Sequence, residues 1–139
     1  MKALLLDTHV WIWLVTDLPR MAERAFEALE RAGERNALAV SEVSFWEIAV
    51  KSAKGNLDMP PNARDWLKRA ARTPGLGVIQ VDREVMVDSA ELDIGVRDPV
   101  DRMLIATALR YDLRLATADA SLIEYAEQNQ AFSVFDCRL

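Results

Sequence analysis

The run Leu4-Leu5-Leu6-Asp7 limits what this chain can fold into more than any other stretch. Three apolar residues closed by a carboxylate read as a short strand covered on both faces, the pattern of a central strand in a parallel sheet. In open parallel sheets, ligands bind beyond the carboxyl ends of the strands. Asp7 stands at such an end. The question is whether the rest of the chain brings other carboxylates beside it.

The pattern downstream alternates. Thr8 to about Val15 reads as a short helix, apolar nearly all round and therefore buried. Leu18-Pro19-Arg20 is a turn, and Met21 to Glu34 an amphipathic helix with Ala22, Ala25, Phe26, Leu29 and Ala32 at helical spacing. Ala37 to Val40 is a second buried strand, and Ser41 caps a helix running to about Lys54. Pro60-Pro61-Asn62 opens a helix to about Arg72, which Thr73-Pro74-Gly75 stops. Val78 to Val81 is a third strand and Arg83 to Asp93 the next helix. Asp98-Pro99 starts a helix to about Tyr111, with Asp at the cap and Pro in the first turn. Leu113 to Thr117 is a fourth strand, Asp119 begins a last helix to about Gln128, and Val134-Phe135 is an edge strand. Strands alternating with helices imply right-handed crossovers. The expected fold class is α/β, a three-layer α/β/α sandwich around a mostly parallel sheet.

A chain of 139 residues suits one domain, residues 1–139, and a hydrophobic fraction of 51% supports a core. The apolar stretch Val10 to Val15 is too short to span a bilayer, and Asp7, Thr8 and His9 interrupt any signal-peptide core. The single cysteine, Cys137, makes no intramolecular disulfide, so a cytoplasmic protein without membrane attachment is expected. A net charge of −5 argues against attraction of nucleic acid by the whole surface. Yet Lys51, Lys54, Arg64, Lys68, Arg69 and Arg72 face only Asp58 and Asp65 in the same span, a local excess able to steer a polyanion or simply to be solvated helix faces.

Four acids fall where a parallel sheet can gather them. Asp7 follows the first strand, Glu47 lies two turns into the helix after the second, Asp101 is in the first turn of the helix opened by Asp98-Pro99, and Asp119 follows the fourth strand. Taken singly, each has a plainer role. Asp7 and Asp119 suit helix caps, Asp101 suits the positive end of its helix, and Glu47 can pair with Lys51 one turn on. Val43, Trp46, Val50 and Ala53 are expected to form the buried stripe of the second-strand helix, leaving Glu47 half-buried at its border and in need of a partner. Were the four to converge, their repulsion would raise some pKa values unless a cation entered. Oxygen donors favour a hard ion, Mg²⁺ or Mn²⁺, while one His and one Cys are too few for zinc. Such an ion, with open water positions, is suited to phosphodiester hydrolysis.

At these residues the chain resembles a known family. Leu4-Leu5-Leu6-Asp7-Thr8-His9, Ser44-Phe45-Trp46-Glu47-Ile48-Ala49-Val50-Lys51, Arg97-Asp98-Pro99-Val100-Asp101-Arg102-Met103-Leu104-Ile105-Ala106 and Leu115-Ala116-Thr117-Ala118-Asp119 resemble the successive motifs of PIN-domain ribonucleases, and within them the VapC-type toxins of toxin–antitoxin pairs. The resemblance spans essentially the whole chain. It implies an α/β/α fold and a metal-binding, catalytic acidic quartet of Asp7, Glu47, Asp101 and Asp119. Of the two acids in the third motif, Asp101 takes the ligand role and Asp98 that of helix cap or outer-shell acid. Thr8, Ser44 and Thr117 are hydroxyl partners of the metal shell. The implied activity is Mg²⁺- or Mn²⁺-dependent cleavage of RNA that arrests translation. The implied partners are RNA, a second copy of the chain in a homodimer, and a VapB-type antitoxin through which alone the complex meets promoter DNA. Two other readings stay open: a PIN nuclease of RNA processing without a toxin role, and a non-catalytic α/β binding module.

Among the remaining side chains, Trp46 is expected in the core, and Trp11 and Trp13 either in the core or at a partner contact. His9 is read as a local hydrogen-bonding residue behind Asp7, and Arg102 as an ion-pair partner of Asp101 or a phosphate contact. Cys137 and the methionines suggest no cofactor.

Overall fold

The computed structural model of the chain describes residues 2–16 and 20–139. Five strands, β1 (Leu4–Leu6), β2 (Leu38–Ser41), β3 (Leu76–Ile79), β4 (Arg114–Thr117) and β5 (Val134–Asp136), form one sheet in the order β3-β2-β1-β4-β5. Every pairing is parallel, with Leu38↔Leu76, Leu4↔Leu38, Leu6↔Ala116 and Leu115↔Val134 in register. The helices are α1 (Thr8–Thr16), α2 (Glu23–Glu34), α3 (Glu42–Ala53), α4 (Ala63–Ala70), α5 (Arg83–Glu91), α6 (Pro99–Tyr111) and α7 (Ala120–Asn129). The strand order reverses between β1 and β4, which makes their carboxyl ends the topological switch point.

Alternation along each strand divides the core in two. Leu4, Leu6, Leu38, Val40 and Ala116 point to one face, where Val10 and Trp11 of α1, Ala25 and Leu29 of α2, and Trp66 of α4 cover them. Leu5, Ala39 and Leu115 point to the other, under Leu104, Ile105 and Ala108 of α6 and Leu122 and Ala126 of α7. Helix α3 contributes to both through Ile48 and Val43, and α5 packs on α6. This is a three-layer α/β/α sandwich, as the alternation predicts.

Local chemistry explains the helix starts. Ser41, Asn62, Asp82, Asp98 and Asp119 each cap a helix by accepting from a backbone N–H. Ser41 is fully buried, and its Oγ accepts from the Val43 N–H at 3.0 Å. Ser41→Ala orphans that buried donor, so a loss of about 1 kcal/mol is expected, measured as a lower urea midpoint with unchanged slope. Gly75 carries the chain into β3 with φ +77°, and a Cβ there would meet the Gly33 carbonyl at the end of α2, so only glycine fits.

Some boundaries and faces differ from expectation. Strand β3 begins at Leu76, two residues before the predicted start, because pairing with β2 recruits Leu76 and Gly77. Helix α2 begins at Glu23. In the turn predicted at Leu18-Pro19-Arg20, Leu18 and Pro19 lie outside the described residues. Trp46 is not in the core: it is 61% exposed. Of the predicted stripe only Val43 is buried, while Val50 is half-buried and Ala53 exposed. The face of α3 turned inward carries Val43, Ser44 and Ile48, because Thr8 of α1 donates a buried hydrogen bond to Ser44 Oγ at 2.9 Å and so fixes the rotation of the helix. Glu47 follows that face and is half-buried as expected.

Candidate active site

Asp7 leaves β1 at the switch point, its N–H bonded to the Ala116 carbonyl of β4 at 3.0 Å. Its Oδ1 accepts from the Val10 N–H at 2.9 Å, so it also caps α1, and the Thr117 hydroxyl hydrogen-bonds to the same carboxylate. Asp119 follows β4 and caps α7 through Oδ1, which accepts from the Ser121 N–H at 2.9 Å and hydroxyl at 2.6 Å. Thr117 Oγ1 accepts from the Asp119 N–H at 3.1 Å, joining the two acids through one side chain. Asp98 caps α6 through Oδ1, accepting from Val100 N–H at 2.9 Å and Asp101 N–H at 3.4 Å. Asp101 projects from the first turn of that helix. Glu47, only 12% exposed at its side chain, accepts from Lys51 Nζ at 3.0 Å.

These carboxylates meet. Asp7, Glu47, Asp98, Asp101 and Asp119 line one open cleft of about 400 Å³, with Thr8, His9, Trp13, Arg20, Lys51 and Asp58. Of the hydroxyl candidates, Thr8 lines the cleft itself. Ser44 and Thr117 stand behind it, Ser44 on Thr8 and Thr117 on Asp7. The capping roles and the gathering coexist: Asp98 and Asp119 each cap with a single oxygen, Oδ1.

Crowded carboxylates disturb one another's titration. Burial, then the charges of Asp98, Asp119, Asp7 and Glu47, push Asp101 up to about 7. Burial also raises Asp7, against the hydrogen bonds from Thr117 and Val10 and the attraction of His9, and Glu47 adds to the rise. Desolvation opposes the Lys51 charge, but the hydrogen bond to Glu47 and the charges of Glu47, Asp98 and Asp58 outweigh it and hold Lys51 as an ammonium. A hard cation answers such a donor set, which is all oxygen and short of positive charge. Among the described residues, no three His, Cys, Asp or Glu side chains already stand closed around a common ion position.

Two side chains are placed otherwise than the sequence suggests. His9 is not behind Asp7. Its Nε2 lies 3.1 Å from Asp58 Oδ2, tying α1 to the loop before α4, and its ring lies 5.9 Å from that of Trp13. Arg102 neither pairs with Asp101 nor faces the cleft; its guanidinium donates to the backbone carbonyls of Ser89, Leu92, Ile94 and Val96. Sequence reasoning missed Arg20 and Asp58 as cleft residues. Neither shares a spacing or motif with the acids, and only the His9 contact, 49 residues away, draws Asp58 in. Of the basic span, Lys51 alone lines the cleft, while Lys54, Arg64, Lys68, Arg69 and Arg72 lie outside it.

A parallel α/β/α sandwich with carboxylates converging on its switch point defines a class of acidic-cleft proteins suited to hard cations. The PIN domain profile matches residues 4–128, and the chain belongs to the PIN domain family. It is 31% identical over 125 residues to ribonuclease VapC22 of Mycobacterium tuberculosis, covering 88% of this chain and 91% of that one. Its fold is similar to that of VapBC2 from Rickettsia felis bound to a promoter DNA fragment, with TM-score 0.69, 13% identity and 98% and 99% of the two chains covered. It is likewise similar to DNA-bound VapBC from Salmonella typhimurium, with TM-score 0.69, 17% identity and 98% of each chain covered. FitAcB from Neisseria gonorrhoeae gives TM-score 0.62 at 19% identity, with 96% of each chain covered. Among the described residues no helix is long and apolar enough to cross a membrane.

Proposed function

We propose that the chain is a Mg²⁺- or Mn²⁺-dependent endoribonuclease and the toxic member of a toxin–antitoxin pair. The observation that carries this reading is the convergence of Asp7, Glu47, Asp101 and Asp119, with Asp98, on one cleft, where burial and then the neighbouring charges push Asp101 up to about 7. Membership of the PIN domain family and the likeness to a VapC ribonuclease support it.

Asp7, Asp101, Asp119 and Glu47 would hold the cation, with Asp98 beside them. When bound, it supplies Lewis acidity toward the phosphodiester and lowers the pKa of a coordinated water. The chain's own residues do the remainder. Thr117 and the Val10 N–H fix the Asp7 carboxylate, and Lys51 orients Glu47. Lys51 and Arg20, two cations lining the cleft, attract the RNA backbone toward an otherwise negative site. Trp13, which also lines the cleft, would be the aromatic surface for an unstacked base.

The likeness to VapBC and FitAcB complexes supports a VapB-type antitoxin as partner, with promoter DNA reached through it. A homodimer is part of the same reading, as is a cytoplasmic location. A second reading has its own observation: Asp7, Asp98 and Asp119 all cap helices, as they would in a binding module without catalysis.

A Mn²⁺ titration separates the two. The wild-type melting temperature is expected to rise with Mn²⁺ by mass action, with little response in Asp7→Asn and Asp119→Asn. Asn retains the capping oxygen, so equal responses in all three proteins would favour the binding module.

A further inference from the structure

We infer that Arg102 is a positioning residue that sets where α6 delivers Asp98 and Asp101 to the acidic cleft, an inference that rests on the metal-dependent reading above. The guanidinium is half-buried and spends its planar fork on one loop. Nε donates to the Ser89 carbonyl at 2.9 Å, Nη1 to Val96 at 2.7 Å and Ile94 at 3.3 Å, and Nη2 to Leu92 at 2.5 Å. These acceptors run from the last turn of α5 through the segment that feeds Asp98. Carbonyls at a helix end lack intrahelical partners, and a five-donor planar group can serve several at once.

The same segment is also held by a second helix. Gly95 N–H donates to Tyr125 Oη at 2.8 Å, and Tyr125 belongs to α7, the helix that Asp119 caps. A Cβ at Gly95 would stand 3.1 Å from the Tyr125 ring, so backbone and ring are in close contact. Leu92, Ile94 and Val96 pack against the core beneath α6. Residues 92–97 therefore form a brace between the helix carrying Asp98 and Asp101 and the helix carrying Asp119. Arg102 is its anchor on α6, one residue from Asp101. A lysine supplies the charge but only a single ammonium, which cannot reach the spread of acceptors that the fork spans.

The test uses full-length wild type, Arg102→Lys, Arg102→Met and Tyr125→Phe, each held well below its own melting temperature. Amide hydrogen exchange reads residues 92–101, and Mn²⁺ affinity is read by tryptophan fluorescence. Both Arg102 variants are expected to exchange faster across this segment. Their Mn²⁺ dissociation constants should rise about tenfold or more, the scale seen when groups supporting metal ligands are lost. Lys should do no better than Met, and Tyr125→Phe should show a smaller change in the same direction. Faster exchange with wild-type Mn²⁺ affinity overturns the proposal, since the brace would then be structural only. Wild-type affinity in Arg102→Lys overturns it too, because charge alone would suffice. Should Arg102→Met fail to fold, the milder Arg102→Lys, which keeps one charged donor, decides on the same two readings. A wild-type protein that does not respond to Mn²⁺ removes both this proposal and the metal-dependent reading; a response in wild type that the loosened variants share removes this one alone.

Discussion

Asp7→Asn is expected to abolish RNA cleavage and, on expression without an antitoxin, growth arrest, while leaving the protein folded. The substitution is close to isosteric. Asn is as good a capping residue as Asp, so the hydrogen bond from Val10 N–H, 2.9 Å in the parent, is retained. Burial disfavours the Asp7 charge in the metal-free protein, so a neutral amide there should not lower stability. What is lost is one anionic oxygen donor of the proposed cation site. Loss of groups that merely support a metal ligand already costs about 10–100-fold in affinity or activity, so removing a ligand should cost more than about a hundredfold. Cleavage of a single-stranded RNA in saturating Mn²⁺, with circular dichroism as the control for folding, measures it. A folded variant that cuts at the parental rate would show that Asp7 is only a helix cap.

Asp101→Asn is expected to raise stability: the metal-free variant should be more stable than the parent at alkaline pH. In the folded protein Asp101 titrates at about 7, raised from 3.8 by burial and then by Asp98, Asp119, Asp7 and Glu47. Between those two values the folded state keeps a proton that the unfolded chain has released. The stabilising contribution of that proton is complete below 3.8 and is lost as pH rises through about 7. A tenfold difference in proton affinity between the two states is worth about 1.4 kcal/mol, so the loss is on the order of 2–4 kcal/mol in this partly open site. Asn carries no such proton, and the variant should melt several degrees higher at about pH 8 in EDTA, with the advantage fading toward about pH 4. Adding Mn²⁺ should reverse the ranking, because the cation stabilises the wild type and has one ligand fewer in the variant. Differential scanning calorimetry over that pH range checks both halves. A variant less stable than the parent at about pH 8 without metal would mean that burial and the neighbouring charges do not raise Asp101 in the folded protein.

Both predictions concern residues that sequence signals bring into view, because each acid sits at a place with a local signature. Asp98-Pro99 announces a helix start, Asp119 follows a β-branched strand end, and Asp7 closes an apolar run. The strand–helix alternation suffices for the layers, since buried parallel strands need a helix over each face. Helix α3 marks where periodicity fails. Val43, Phe45, Trp46, Ile48 and Val50 put apolar side chains on more than one side, so the pattern alone cannot choose the buried face. The Thr8–Ser44 hydrogen bond chooses it, between residues 36 apart, and leaves Trp46 in solvent.

The same division runs through the site. The sequence by itself determined the secondary elements, the parallel sandwich and the acids that follow its strands, because caps, turns and apolar runs act over a few residues. The tertiary structure alone decided that His9 reaches Asp58, that Arg20 lines the cleft, and that Arg102 turns from its neighbouring carboxylate to the backbone of residues 89–96. Polar partners are selected by geometry in space. A guanidinium beside an acid in the chain is drawn instead to whichever backbone carbonyls lack a donor, and no local pattern encodes where those will be.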